Sequence, residues 1–170
     1  MKFIPYGRQD ISHEDIQAVV DVLQSDFLTQ GPCVPQFEQA IANYVGVKHA
    51  LAVNSATSAL HIACMALGVK EGDWLWTTPN TFVASANCAR YCNANVSFVD
   101  IDPATYNMSV SALETKLRKA KAEGTLPKVL VPVAFAGQSC EMEAIHTLAR
   151  EYGFAIIDCL LYTSDAADDS

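Results

Sequence analysis

Three short stretches carry side chains suited to holding an anionic ligand with a flat ring. The first is Asn54-Ser55-Ala56-Thr57-Ser58, lying between an apolar run and a run with helical spacing. Small residues let the backbone approach a ligand, and a helix start offers unpaired N–H groups and a positive dipole end. The hydroxyls of Thr57 and Ser58 add donors, so the stretch suits a phosphate. Plain N-capping by Ser55 or Thr57 explains the same residue types equally simply. The second stretch is Thr77-Thr78-Pro79-Asn80-Thr81-Phe82, where Phe82 offers a face for ring stacking or serves as a core aromatic. The third is Phe135-Ala136-Gly137-Gln138, with a glycine for a tight turn and an amide that can enter a cleft. Cys88 and Cys92, four apart, can share a helix face and bind a metal. No second Cys/His pair stands at a zinc-like spacing, so small reduced hydrophobes are the competing reading. The sequence contains neither a Walker A loop nor a G-x-G-x-x-G motif.

These stretches need elements to position them. Ser12 and Asp15 form a capping-box pattern, and Ile16, Val19, Val20 and Leu23 then recur at helical spacing, predicting one buried stripe. Residues 26–35 break that helix with Gly31, Pro32 and Pro35. A second helix follows, with Phe37, Ile41, Tyr44 and Val45 inward and Gly46 as its stop. From residue 49 short apolar runs alternate with helices. Strands are expected at 49–53, 74–78, 96–100, 128–135 and 154–158, and helices at 58–67, 81–92, 109–124 and 141–153. Such alternation predicts an α/β fold with a parallel sheet covered on both faces, in which ligands sit beyond the carboxyl ends of the strands. All three candidate stretches fall at such ends.

Composition narrows the partners. The chain has 170 residues, 51% hydrophobic and 18% charged, with a formal charge of −8. That supports a packed core and gives no basic field for nucleic acid. No apolar run approaches the roughly 20 residues that span a bilayer. The opening MKFIPYGRQD lacks the apolar stretch of a signal peptide, which leads to an expectation of a cytoplasmic protein.

Taken together, LTQG, VKHAL, NSATSAL, TTPNTFVASAN, FVDIDPATYNM and VPVAFAG resemble, in order and spacing, the DegT-type sugar aminotransferases. The likeness covers residues 3–158 and is strongest to the branch that makes pseudaminic acid. It implies an aspartate-aminotransferase-like large domain (fold type I), mostly parallel in its sheet and truncated here. The implied cofactor is pyridoxal 5′-phosphate. The implied reaction moves an amino group from L-glutamate to the 4-keto carbon of a UDP-linked 4-keto-6-deoxy-N-acetylhexosamine, in a homodimer. Carried over by position, the phosphate-binding turn falls on Ala56, Thr57 and Ser58, and the ring-stacking aromatic on Phe82. Contacts to the UDP-sugar fall on Tyr6, on Asp26, Phe27, Leu28 and Thr29, and on Ala56.

The resemblance also implies groups that this sequence lacks. After a strand like FAIID the family has an acidic pair whose second member meets the pyridine nitrogen; Asp158 aligns with the first acid, and Cys159 stands at the second. Asp158 substitutes only if the strand register shifts by one. None of the seven lysines (2, 48, 70, 116, 119, 121 and 128) matches the motif of the cofactor-holding lysine, and they read as solvated charges. Residues 159–170, CLLYTSDAADDS, look like translated sequencing adapter, so residues 1–158 are expected to be the N-terminal part of the large domain. A sister dehydrase with His in place of the lysine, and a non-catalytic nucleotide-binding α/β domain, are the alternative readings.

Overall fold

The computed structural model describes residues 9–160, and the chain divides into two compact units between Asn54 and Ser55. The first unit holds two helices. Helix α1 (His13–Leu23) opens with the expected capping box: the Ser12 hydroxyl accepts from the Asp15 amide at 3.2 Å, and the Asp15 carboxylate accepts from the Ser12 amide at 2.8 Å. Helix α2 (Cys33–Val45) ends at Gly46, whose φ of 73° is a left-handed C-cap. Pro35 lies in the first turn of α2 rather than in the preceding break, because first-turn amides lack helical partners anyway.

The burial expected of these helices is not observed. No residue of α1 is buried, and Ile16, Val19 and Leu23 are exposed. On α2 only Ala42 is buried, while Phe37, Ile41, Tyr44 and Val45 are exposed. Helical spacing fixes which residues share a face, but a face is buried only where another layer covers it. The expected strand at 49–53 is corrected for the same kind of reason. It pairs with no ladder among the described residues, Leu51 is 81% exposed, and its backbone is tied only by the Ala52 amide to Glu38 at 2.9 Å.

The second unit contains the predicted parallel sheet. Its strands are β1 (Trp74–Thr77), β2 (Asn95–Phe98), β3 (Val129–Val131) and β4 (Ala155–Ile156), all parallel, in the spatial order β2-β1-β3-β4. Strand β3 is shorter than expected because Pro132 has no N–H to donate. Pairing resumes beyond it as a parallel bridge between Val133 and Cys159. Alternate residues of each strand enter opposite apolar layers. Leu75, Val129 and Val131 pack with Leu60 and Cys64 of α3 (Ala56–Ala66) and with Ala84, Cys88 and Ala89 of α4 (Ala84–Tyr91). Trp76 and Leu130 pack with Leu113 and Leu117 of α5 (Val110–Glu123) and with Ile145 and Leu148 of α6 (Met142–Tyr152). Burial on both sides is why these strands read as continuous apolar runs. Among the described residues no helix is long and apolar enough to cross a membrane, and no group of three or more His, Cys, Asp or Glu is placed to hold a metal.

Candidate functional site

Helix α3 begins at the first candidate stretch. Ser55, in extended conformation, is the N-cap, and its hydroxyl accepts from the Ser58 amide at 3.2 Å and donates to the Ser58 hydroxyl at 3.0 Å. The capping reading therefore holds for Ser55 and occupies Ser58. It leaves the amides of Ala56 and Thr57 without a partner among the described residues, both half-buried, at the positive end of an 11-residue helix. Capping by Ser55 does not exclude a phosphate cradle, because the two use different amides.

The second stretch leaves the sheet at the end of β1. Thr77 is fully buried and its hydroxyl donates to the Val131 carbonyl at 2.9 Å. Thr78 follows, 1% exposed, its hydroxyl oxygen without a partner among the described residues. A buried hydroxyl left unpaired costs about 1–3 kcal/mol, so this loop stores an unmet demand at the strand end. Phe82 is 48% exposed, which excludes the core-aromatic reading and leaves its ring available. Helices α3 and α4, which follow these two stretches, pack in one apolar layer on the same face of the sheet.

The third stretch forms a 3-10 turn, Phe135–Gly137, in which Ala136 has φ 51° and Gly137 φ 86°. The Gln138 side chain is exposed and makes no hydrogen bond among the described residues; its backbone carbonyl makes the contact instead. That partner is Asn107, a residue the sequence did not single out. It is 4% exposed, donates to the Gln138 and Ser139 carbonyls at 2.9 and 3.1 Å, and accepts from the Phe135 amide at 2.9 Å. Beside it Tyr106, with φ 61°, accepts through its carbonyl from Asn80 at 2.7 Å. Asn80 and Asn107 thus tie the loops after β1, β2 and β3 together. The available signal was an amide side chain in each of the loops that follow β1 and β2.

Strand β4 fixes which face residues 158 and 159 present. Val129 pairs with Ala155, Leu130 with Ile156 and Val133 with Cys159, so the register is unchanged through Cys159. Cys159 is 6% exposed in the layer formed with α3 and α4, its sulfur 3.9 Å from the Ser85 hydroxyl. Asp158 alternates to the other face, where burial pushes its carboxyl up and His146 opposes the shift. It stands on the wrong side of the strand to replace an acid at 159.

Two lysines are engaged rather than freely solvated. Lys128 donates to Asp73 at 2.9 Å and to the Gly68 carbonyl at 2.6 Å, and its hydrogen bond holds the Asp73 carboxyl below its usual range. Lys116, a residue of α5, is half-buried. The substrate-contact residues inferred by resemblance divide differently. Asp26, Phe27, Leu28 and Thr29 form an exposed loop of the first unit, and Tyr6 lies outside the described residues. At Gly31 in that loop, an added Cβ would stand 2.9 Å from the Phe27 Cβ, so the turn requires glycine.

The model of the DegT/DnrJ/EryC1/StrS aminotransferase family matches residues 9–167. The chain belongs to that family. The match runs past residue 158, into the segment expected to be foreign. A Campylobacter jejuni protein named UDP-4-amino-4,6-dideoxy-N-acetyl-beta-L-altrosamine transaminase is 44% identical over 155 residues, 91% of this chain and 40% of that protein. The Helicobacter pylori aminotransferase involved in the biosynthesis of pseudoaminic acid superposes with a TM-score of 0.82 at 34% identity, over 92% of this chain and 41% of that one. A putative sugar aminotransferase of Streptococcus pneumoniae, solved in its PLP form, gives a TM-score of 0.79 at 28% identity, over 89% of this chain and 38% of that one. The chain spans about 40% of the length of the curated relatives it matches.

Proposed function

We propose that the complete protein is a pyridoxal-phosphate-dependent, homodimeric cytoplasmic transaminase. It would take nitrogen from L-glutamate and deliver it to the 4-keto carbon of a UDP-linked 4-keto-6-deoxy-N-acetylhexosamine. The observation that carries this reading is the start of α3, where two amides stay open although Ser55 caps the helix, in a chain of the sugar-aminotransferase family. In this reading the Ala56 and Thr57 amides and the Thr57 hydroxyl bind the phosphate, and Phe82 lies against the ring. The Asp26–Thr29 loop and Tyr6 contact the nucleotide sugar. When bound, the cofactor supplies an electron sink and a carrier for the amino group. The open amides and the half-exposed ring fit that group; the acid for the pyridine nitrogen is not supplied by residues 1–158, and Cys159, in the segment proposed as foreign, is no acid.

Residues 1–158 are proposed as the N-terminal part of the large domain, with 159–170 foreign to it, on the strength of the adapter-like CLLYTSDAADDS. With no lysine in the cofactor-holding motif, the 170-residue chain is expected to be inactive. One experiment tests the whole reading: determine the gene beyond codon 158, express its full product, and incubate it with glutamate and the UDP-4-keto sugar. The UDP-4-amino sugar and 2-oxoglutarate should form in equal amounts, with none from the 170-residue chain. Loss of water from the sugar without gain of nitrogen would show the sister dehydrase instead, and an unbroken genomic CLLYTSDAADDS with a stop codon would defeat the domain assignment.

A further inference from the structure

On the face of the sheet opposite α3 and α4, a groove of about 380 Å³ runs between the β1–β2 edge and α5. Its walls include both tryptophans, Trp74 and Trp76, with Ala120 adding apolar surface. That volume lies at the small end of ligand sites. None of the residues assigned to cofactor or nucleotide sugar lines it.

Lys116 is the unusual group in this groove. Its ammonium lies 4.7 Å from the Trp76 ring centroid, donates to the Ser97 hydroxyl at 2.6 Å, and donates to the Phe98 carbonyl. No carboxylate pairs with it among the described residues. An ammonium has three donors, and two are used, so one N–H has no acceptor among the described residues. Burial, and then the neighbouring Lys119, hold this ammonium below the usual lysine range. A half-buried cation without a counter-ion is a costly arrangement, and a bound anion relieves it. Lys119 adds a second positive charge, offset in part by Glu123 at 3.8 Å. The Trp76 indole N–H is buried and also lacks a partner.

We infer that this groove is a second binding site, for a small aromatic carboxylate. The carboxylate would take the open Lys116 donor and the ring would lie along the Trp74 indole. Ring-against-indole contact and a charge-assisted hydrogen bond are the two interactions the walls offer. Simple inorganic anions would satisfy only one of them.

The protein has two tryptophans, both in the groove, so its intrinsic fluorescence reports this site directly. Benzoate titrated into the 170-residue chain should change the emission saturably. Benzyl alcohol and acetate, each with one of the two recognition features, should need at least about tenfold higher concentration, the loss expected when a charged hydrogen bond or the ring contact is removed. Lys116→Met should weaken benzoate about tenfold, and Lys121→Met, on the same helix outside the groove, should leave it unchanged. Circular dichroism checks that each variant folds; should Lys116→Met fail, the comparison of benzoate with benzyl alcohol on the unaltered chain decides alone. Equal response to benzoate and benzyl alcohol, an undiminished response in folded Lys116→Met, or no saturable change would overturn the assignment.

Discussion

The start of α3 and the end of β4, which the proposed function assigns to one cofactor site, are built in different ways. At α3 everything comes from five consecutive residues: Ser55 caps, Ser58 is satisfied, and the Ala56 and Thr57 amides stay open. At β4 the outcome depends on residues more than twenty positions away, because pairing with β3 fixes which face residues 158 and 159 present. On the proposed reading the anion cradle is encoded locally within residues 1–158, whereas the partner of the pyridine ring depends on strand register and falls at 159, in the segment proposed as foreign. The difference teaches that a phosphate grip can be written in a few consecutive residues, while the group that tunes ring electronics depends on strand pairing.

The largest effect is expected at Cys159. On the proposed reading, Cys159→Asp places a carboxylate on the α3/α4 face and should tighten binding of pyridoxamine 5′-phosphate about 10- to 100-fold, the worth of a charge-assisted hydrogen bond. Calorimetric titration of the chain and its variant measures this, and unchanged affinity would break the contrast between the two ends. The same buried carboxylate should lower the melting temperature of the ligand-free variant.

An intermediate effect separates capping from cradling. Ala56→Pro removes one open amide at the first helical position, where proline is accepted, and Ser55 is already extended as a residue before proline must be. Affinity for the same ligand should fall about tenfold while the melting temperature holds. Ser55→Ala should do the reverse, costing about 1 kcal/mol of stability in urea titrations and leaving affinity within a few-fold. If both variants behaved alike, cap and cradle would be one device.

The smallest effect belongs to Asp158. Its folded-state carboxyl is raised above the unfolded value, chiefly by burial. The native state therefore binds the proton more tightly, and this residue's contribution to stability is present at low pH and lost as pH rises through the carboxylate range. Asp158→Asn should flatten that portion of the stability–pH curve by a few tenths of a kcal/mol, discounted for its exposure. It should also leave pyridoxamine 5′-phosphate affinity unchanged, because the side chain faces the other layer.

Local signals were legible before any coordinates. Ser12 with Asp15 marked a helix start and Gly46 a stop, and the helices expected at 109–124 and 141–153 end on Gly124 and Gly153; all three glycines were found with positive φ. The apolar runs at 74–78, 96–100, 128–135 and 154–158 became strands of one parallel sheet, and each lost residues at its ends. The run at 49–53 had the composition of a strand and no ladder to join. Asn107 escaped notice, and so did the tying role of Asn80 within the second stretch, because an amide's value lies in which carbonyls surround it, and those come from other loops.

By itself, then, the sequence determined the order of helices and strands from α3 onward, the capped start of α3 and the family, since these follow from short-range spacing and from motifs read in line. Tertiary structure alone decided that Phe82 stays half-exposed, that Cys159 rather than Asp158 faces α3 and α4, and that Lys116 meets Trp76 with no counter-ion among the described residues. Each of those depends on the register of strands and on which layer covers a given face, quantities set by packing between residues far apart in the chain.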